Sequence, residues 1–373
     1  MDSIFDKYIK GDKVIWTIVV LLSLFSIVMA YSSSSNLAYR LRDGDAAPFL
    51  FKHITILILG ILLMVYLQFF NFKYLSRLSQ LGIYVCVLLL FVTLIFGVNK
   101  GNASRWIMGF QPSDLAKIIL IIYVARVLVI KKDKIKNFKE GLLPVFIPIV
   151  LVCGLILPAD FSTALLIAFV CFTLVFIAGA KTSHLLLTFG SVVMLVFMLI
   201  LINKVIPGVL PRVGTWETRI ESFFSGKKQD NYQAQIAKRA VVSGFLQGKG
   251  PGNGNVKNEL YSAQSDFVYS SSIEEFGSII GGLGLMFLYL IILFRSIRIM
   301  TKSSSLFGGY IAFGLSFMLV SQALVNMGVG VSLLPVTGQP LPLISMGGTS
   351  ILFTCISIGI ILNVSRTIEN DES

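Results

Sequence analysis

Residues 14–29 read VIWTIVVLLSLFSIVM, an uncharged apolar run that starts after Lys13 and passes into the polar Ser32, Ser33 and Ser34. As a helix, 13–32 is long enough to cross the ~30 Å hydrocarbon core of a bilayer. Stretches of the same character, roughly 16–24 residues long, follow at 54–70, 81–98, 114–130, 142–157, 161–178, 185–206, 276–299, 306–329 and 345–364. Together they predict an all-α polytopic membrane protein of about ten transmembrane helices. Barrel strands would be shorter and would alternate in polarity, and no such alternation dominates. Composition agrees: 55% of the residues are apolar and only 13% are charged, against about 25% charged in an ordinary soluble domain.

The net charge of +12 would suit a nucleic-acid partner, but Lys and Arg fall in the loops between apolar runs, where they act as topology signals. No nucleic acid is expected. Lys73, Arg77, Lys131, Lys132, Lys134, Lys181, Arg295, Arg298 and Lys302, among others, share the side of the N-terminus. The opposite short loops carry Arg40, Arg42, Lys52, Lys100 and Arg105. A bias of about three to one places both termini in the cytoplasm. Residues 207–273 then form one long extracytoplasmic loop, and 101–113, 158–160 and 330–344 also face outward. Beyond that loop the chain reads as a single integral membrane domain. No cleavable leader is expected, since the charged segment 1–12 runs straight into the first span. Cys86, Cys153, Cys171 and Cys355 lie inside apolar runs without CxxC spacing and read as small buried hydrophobes. His53 and His184 stand too far apart in sequence to suggest a histidine metal site.

Against this apolar background, 248–282 (GKGPGNGNVKNELYSAQSDFVYSSSIEEFGSIIGG) gathers Lys249, Lys257, Asp266, Glu274 and Glu275 behind a glycine-rich approach. The glycines lack the preceding strand and the GK[ST] ending of a nucleotide cradle, and read instead as a mobile approach to a site. Asp266 stands just before an apolar helix entry, where partial desolvation makes a carboxylate a better proton acceptor. Glu274 and Glu275 read as helix-entry supports, with Glu275 a candidate metal or outer-shell group. Arg212, Arg219, Lys227, Lys228, Lys238 and Arg239 make the long loop basic, as anionic headgroups or a diphosphate would require.

Three further outward positions carry polar groups where they are costly. Asp114 and Lys117 share one helix face at i, i+3, either as a structural ion pair or with Lys117 lining a cavity for an anion. Asp160 suits a helix cap. Arg105, beside Trp106, is either an interfacial anchor or a bidentate phosphate ligand. The segment 330–344, GVSLLPVTGQPLPLI, is apolar, uncharged and broken by Pro335, Pro340 and Pro342. It is expected to re-enter or to pack over the helix bundle, since irregular backbone at membrane depth needs protein or a wet cavity to satisfy it.

Several motifs resemble the SEDS family of shape, elongation, division and sporulation proteins. They are AYSSS ending the first span, Ser104-Arg105-Trp106-Ile107, QPSDLAK at 111–117, PADFSTA at 158–164, Tyr232-Gln233, Ser265-Asp266-Phe267-Val268, Glu274-Glu275-Phe276-Gly277 and LPVTGQPLPLISMGGTS at 334–350. The resemblance implies a ten-helix bundle with a long outer loop. It further implies a peptidoglycan glycosyltransferase of the bacterial cytoplasmic membrane that polymerises lipid II and releases undecaprenyl diphosphate. A class B penicillin-binding protein and other divisome proteins are the implied partners, and the family's essential aspartate falls on Asp266. Arg105, Lys117, Arg219 and Lys257 are candidates for holding the diphosphate, with Asp114, Asp160 and Glu275 in support and Mg²⁺ or Mn²⁺ as a candidate cofactor. The chain departs from the family at Asp114, where Glu is usual, at Leu260-Tyr261-Ser262, where Leu-Pro-Glu is common, and at Met346, where Tyr is common. The Thr-Gly-Gln-Pro motif looks more like the division branch than the elongation branch. A lipid II flippase and a non-catalytic scaffold are the rival readings. Polar groups clustered on the outer side alone favour the enzyme.

Overall fold

A computed structural model describes residues 10–41, 47–99, 104–107, 109–205, 214, 219, 221, 223, 232–255, 259 and 264–372. In chain order its elements are α1 (Lys13–Leu41), α2 (Ala47–Leu67), α3 (Lys73–Phe96), the antiparallel pair β1 (Val98–Asn99) and β2 (Ser104–Trp106), α4 (Pro112–Ile130), α5 (Leu143–Ile156), α6 (Phe161–Ile177), α7 (Thr182–Val205), α8 (Tyr232–Gly244), α9 (Val268–Gly277), α10 (Leu285–Lys302), α11 (Leu306–Gly330) and α12 (Gly348–Glu372). Each apolar span expected from the sequence falls on one of these helices or, for the start of the eighth, on the end of α9 and the π-helical turn Ser278–Gly284 that leads into α10. Among the described residues, 7 segments are long and apolar enough to cross a membrane. α4 carries Asp114, Lys117 and Arg126, and α6 is apolar but shorter.

The helices are built for a lipid surround. On α1, Ile15, Val19, Leu22, Ser26, Met29 and Ser33 repeat at helical spacing and are buried, while Val20, Leu24 and Tyr31 on the other side are 53%, 57% and 62% exposed. Large apolar side chains left this open would be costly in water and are at home in hydrocarbon.

The chain divides into two compact units. One comprises Met1–Asn71, Ser222–Ser304 and Leu315–Ser373; the other comprises Phe72–Glu221 and Ser305–Gly314. In the first, the start of α1 is clasped from several directions. Asp12 caps α1 by accepting from the Val14 and Ile15 amides and pairs with Arg295 of α10 at 2.6 Å. The Gly11 amide donates to Glu369 of α12, and the Lys10 amide donates to Gln68 after α2.

Two features of the first unit were not expected in full. The first is α9. Nine residues along a continuous helix is ~13.5 Å, yet Ser272 Oγ donates to Gly281 O at 2.8 Å. The chain must therefore reverse, and it does so at Gly277, whose φ of +77° suits glycine alone. A Cβ there would also lie 2.2 Å from Leu246 O. α9 is thus a separate half-helix preceding the span, not the first turns of it. It is buried on all sides although it carries Ser270, Ser271, Ser272, Glu274 and Glu275.

The second is how deep the proline-rich segment reaches. Ser26, in the middle of α1, donates to Leu343 O at 2.7 Å, and Leu341, Leu343, Ile344 and Ser345 are all buried. Its carbonyls are met by helix side chains: Pro340 O by Gln322 Nε2 at 2.8 Å, Gln339 O by Asn326 Nδ2 at 2.7 Å, and Pro342 O by the Tyr289 hydroxyl. The segment is packed among the helices, as its uncharged sequence leads one to expect.

Gly277→Ala should lower the apparent melting temperature in detergent by several degrees, because it combines a left-handed backbone with a backbone clash worth about 2–4 kcal/mol. Gly190→Ala, in α7 with nothing within 4 Å of the added carbon, should leave it unchanged or slightly raised. Equal shifts for the two variants in a thermal-unfolding assay would contradict the reversal at Gly277.

Candidate active site

Asp266 lies half-buried in the turn Gln264–Phe267 that feeds α9. The turn is held from the side of the re-entrant segment. Ser345 Oγ donates to Ser265 O at 2.7 Å and accepts from the Leu341 amide at 2.7 Å. The Met346 amide donates to Gln264 O at 2.9 Å. Asn326 of α11 donates to Asp266 O at 3.1 Å with the same amide group that reaches Gln339 O. Phe267, fully buried, packs with Ile236, Ala237 and Ala240 of α8 and Val329 of α11. The backbone on both sides of the carboxylate is therefore fixed, and the carboxylate stands at the N-terminal end of α9, the end that favours negative charge.

Glu274 and Glu275 sit at the other end of α9, where the helix dipole disfavours anions. They are 1% and 2% exposed, so donors must come from the protein. Glu274 Oε1 accepts from Lys249 Nζ at 2.7 Å, the Asn255 amide at 3.0 Å and Ser243 Oγ at 3.1 Å. Glu275 accepts from Ser32 Oγ of α1 and from the Gly252 amide at 3.1 Å. The Lys249 and Gly250 amides donate to the Glu274 and Glu275 carbonyls, each at 2.9 Å. The glycine-rich stretch is accordingly neither a nucleotide cradle nor a mobile approach. It is wrapped round a pair of internal carboxylates, to which its Gly252 and Asn255 amides donate. Among the described residues no group of three or more His, Cys, Asp or Glu is gathered as a metal site.

The second unit holds Arg105, Asp114, Lys117, Asp160 and Arg219. Asp160 caps α6, accepting from the Thr163 amide at 3.2 Å, and pairs with Arg105 at 3.1 Å. Arg105 Nε also donates to Ala159 O at 2.9 Å. Lys117 and Asp114, both buried, pair at 2.8 Å along α4. A cavity of about 20 Å³, with Thr93, Arg105, Ser113 and Asp160 in its lining, has room for one water and not for a sugar diphosphate. A groove of about 520 Å³ runs between α3 and α5, lined by apolar side chains that include Tyr84, Leu88, Phe91, Val150 and Leu151. Arg219 is half-buried at one described position of the long loop. Lys257, Leu260-Tyr261-Ser262 and most of 207–231 lie outside the described residues.

Sequence reasoning passed over Ser32, Ser243 and Asn326 as individual contributors. The signal was available for two of them: Ser32 and Asn326 are polar residues inside or at the end of apolar spans, where such groups are rarely idle.

Fold and site together define a multi-pass helical membrane protein that frames one half-buried carboxylate with a re-entrant segment and a buried polar half-helix. The model of the FTSW_RODA_SPOVE family, described as "Cell cycle protein", matches residues 12–370. The chain is 34% identical over 369 residues to the "Probable peptidoglycan glycosyltransferase FtsW" of Geobacter metallireducens, covering 95% of each. It is 32% identical to the protein of the same description from Bacillus subtilis, covering 95% of this chain and 90% of that one. A solved structure titled "Structural coordination of polymerization and crosslinking by a peptidoglycan synthase complex" is similar with a TM-score of 0.75 and 25% identity, covering 96% of this chain and 98% of that one. The chain belongs to the FtsW/RodA/SpoVE family, the SEDS proteins.

Glu274 is buried while the Lys249 side chain is 31% exposed, so removing the lysine strands a buried carboxylate that keeps its serine and amide donors, a loss below the about 3–5 kcal/mol of a fully buried pair. Lys249→Met should therefore destabilise the protein, and Lys249→Met combined with Glu274→Gln should recover part of the loss. A double-mutant cycle on detergent-solubilised protein in which the two effects simply add would show that the pair is not coupled.

Proposed function

We propose that the protein is a peptidoglycan glycosyltransferase that polymerises lipid II at the outer face of the bacterial cytoplasmic membrane during division, with Asp266 as the general base. The observation that carries this reading is a half-buried carboxylate whose flanking carbonyls are clamped by Ser345 and Asn326, in a family whose curated relatives are described as peptidoglycan glycosyltransferases. A base that must meet one hydroxyl in one orientation gains from a fixed backbone.

Asp266 takes the proton from the acceptor sugar hydroxyl as that oxygen attacks the donor's anomeric carbon. The C–O bond to the diphosphate breaks on the opposite face, and undecaprenyl diphosphate leaves with inversion. Its charge needs cations already in position. Arg219 and Lys257 of the basic loop are candidates, as are Arg105 and Lys117. The last two start from ion pairs with Asp160 and Asp114, so engaging a diphosphate exchanges one anion for another. The apolar groove between α3 and α5 offers a bed for an isoprenoid tail. Mg²⁺ or Mn²⁺, held between carboxylates of the chain and the diphosphate oxygens, would add positive charge beside the leaving group. A class B penicillin-binding protein would cross-link the product.

Purified protein carrying Asp266→Asn should fold as wild type and lose lipid II polymerisation by about 10³-fold or more, the scale of a positioned general base together with the geometry it enforces. The measurement is glycan-strand synthesis from lipid II, with a cognate penicillin-binding protein lacking its own glycosyltransferase. Full-rate polymerisation by the variant would remove Asp266 from the chemistry. Movement of lipid II between leaflets without polymer would favour a flippase.

A further inference from the structure

His53 of α2 is buried in the first unit and has no part in the chemistry proposed above. Its Nε2 lies 2.8 Å from Ser26 Oγ of α1, and that same hydroxyl lies 2.7 Å from Leu343 O and 3.4 Å from Ile344 O. A hydroxyl owns one proton, and a carbonyl can only accept. Ser26 gives its proton to Leu343 O, so the contact with the ring requires a proton on Nε2 of His53, donated to Ser26. The order of donation is fixed: His53 to Ser26, Ser26 to Leu343.

Leu343 is where this order matters. Its φ is +63°, in the left-handed region that a branched side chain avoids and keeps only where its surroundings hold it. Ser26 holds the carbonyl of that residue. Two residues further on, Ser345 Oγ is the group that fixes Ser265 O, next to Asp266. Gln339, earlier in the same segment, shares the Asn326 amide with Asp266 O.

We infer that His53 is a positioning residue for Asp266: through Ser26 it holds Leu343 in its left-handed conformation and thereby sets the Leu341–Ser345 turn that clamps the Ser265–Asp266 backbone. The inference rests on the reading of Asp266 as the base. His53 touches no substrate, and its contribution is the geometry of a carboxylate on another element.

The test has two independent arms. The chain has 2 histidines, so ¹⁵N-histidine-labelled protein carrying His184→Gln gives one ring to observe by NMR. A proton on Nε2 is expected, and a bare Nε2 would overturn the inference. In lipid II polymerisation assays, His53→Leu and Ser26→Ala should each lower kcat by about 10- to 100-fold, the scale of an ångström-level misplacement, with KM for lipid II within about twofold. His53→Gln, whose terminal amide can supply the missing N–H, should restore most of kcat. An unchanged kcat in His53→Leu, or a glutamine variant no better than leucine, would overturn the inference. Asp266→Asn in the same assay separates the two claims. If that variant polymerises at full rate, the assignment of the base fails, whereas a dead Asp266→Asn beside a fully active His53→Leu removes His53 alone.

Discussion

A peptide group or a carboxylate inside a membrane protein has no water to fall back on, so its partner must be another part of the same chain. The first unit is arranged to meet that requirement at three places. The re-entrant segment is matched carbonyl by carbonyl to Ser26, Tyr289, Gln322 and Asn326. The half-helix α9 turns Ser270 and Ser272 onto the carbonyls of Gly330 and Gly281. Glu274 and Glu275 take the lysine, serines and amides of the glycine-rich wrap. Remove the need for internal partners, and none of these three has a reason to adopt its observed path.

The same requirement separates two kinds of acid at the two ends of α9. Glu274 and Glu275, at the end where the dipole opposes them, are surrounded by donors and have become structural charges. Asp266, at the end where the dipole helps, has its backbone fixed while the residue is only half-buried. A group proposed to meet a substrate, as Asp266 is, must be exposed enough to reach it, and a supporting group must not be. One short helix accommodates both because its ends are electrostatically unlike.

Much of this was legible in the chain. Spans of uncharged apolar residues located the helices, since crossing hydrocarbon leaves few alternatives. The missing charges and the three prolines of 330–344 announced a segment that could not be a surface loop. Asp160 was read as a cap and is one, and the i, i+3 spacing of Asp114 and Lys117 became an ion pair. Three things were not legible, for related reasons. The half-helix was hidden because its apolar continuation into α10 looks like one long span, and only a positive φ at Gly277 divides it. The glycine run was misread because Gly-rich sequence says where backbone can approach closely, not what it approaches. Arg105 was read as an anchor or a phosphate ligand, while its pairing with Asp160 joins residues far apart in sequence that no local pattern connects.

Ser26 and Leu343 are 317 residues apart in the chain, and Ser32 and Glu275 are 243 apart. During synthesis, α1 and α2 enter the bilayer long before the groups they will hold have been translated. In the interval a serine can turn to its own helix, as Ser33 and Ser34 do by donating to carbonyls four residues back. The frame round Asp266 closes only when 339–346 arrives, after every other helix of the bundle except α12. A ribosome that stalls earlier leaves a membrane-inserted but unframed chain. The contacts that fix the Ser265–Asp266 backbone are thereby tied to near-completion of translation.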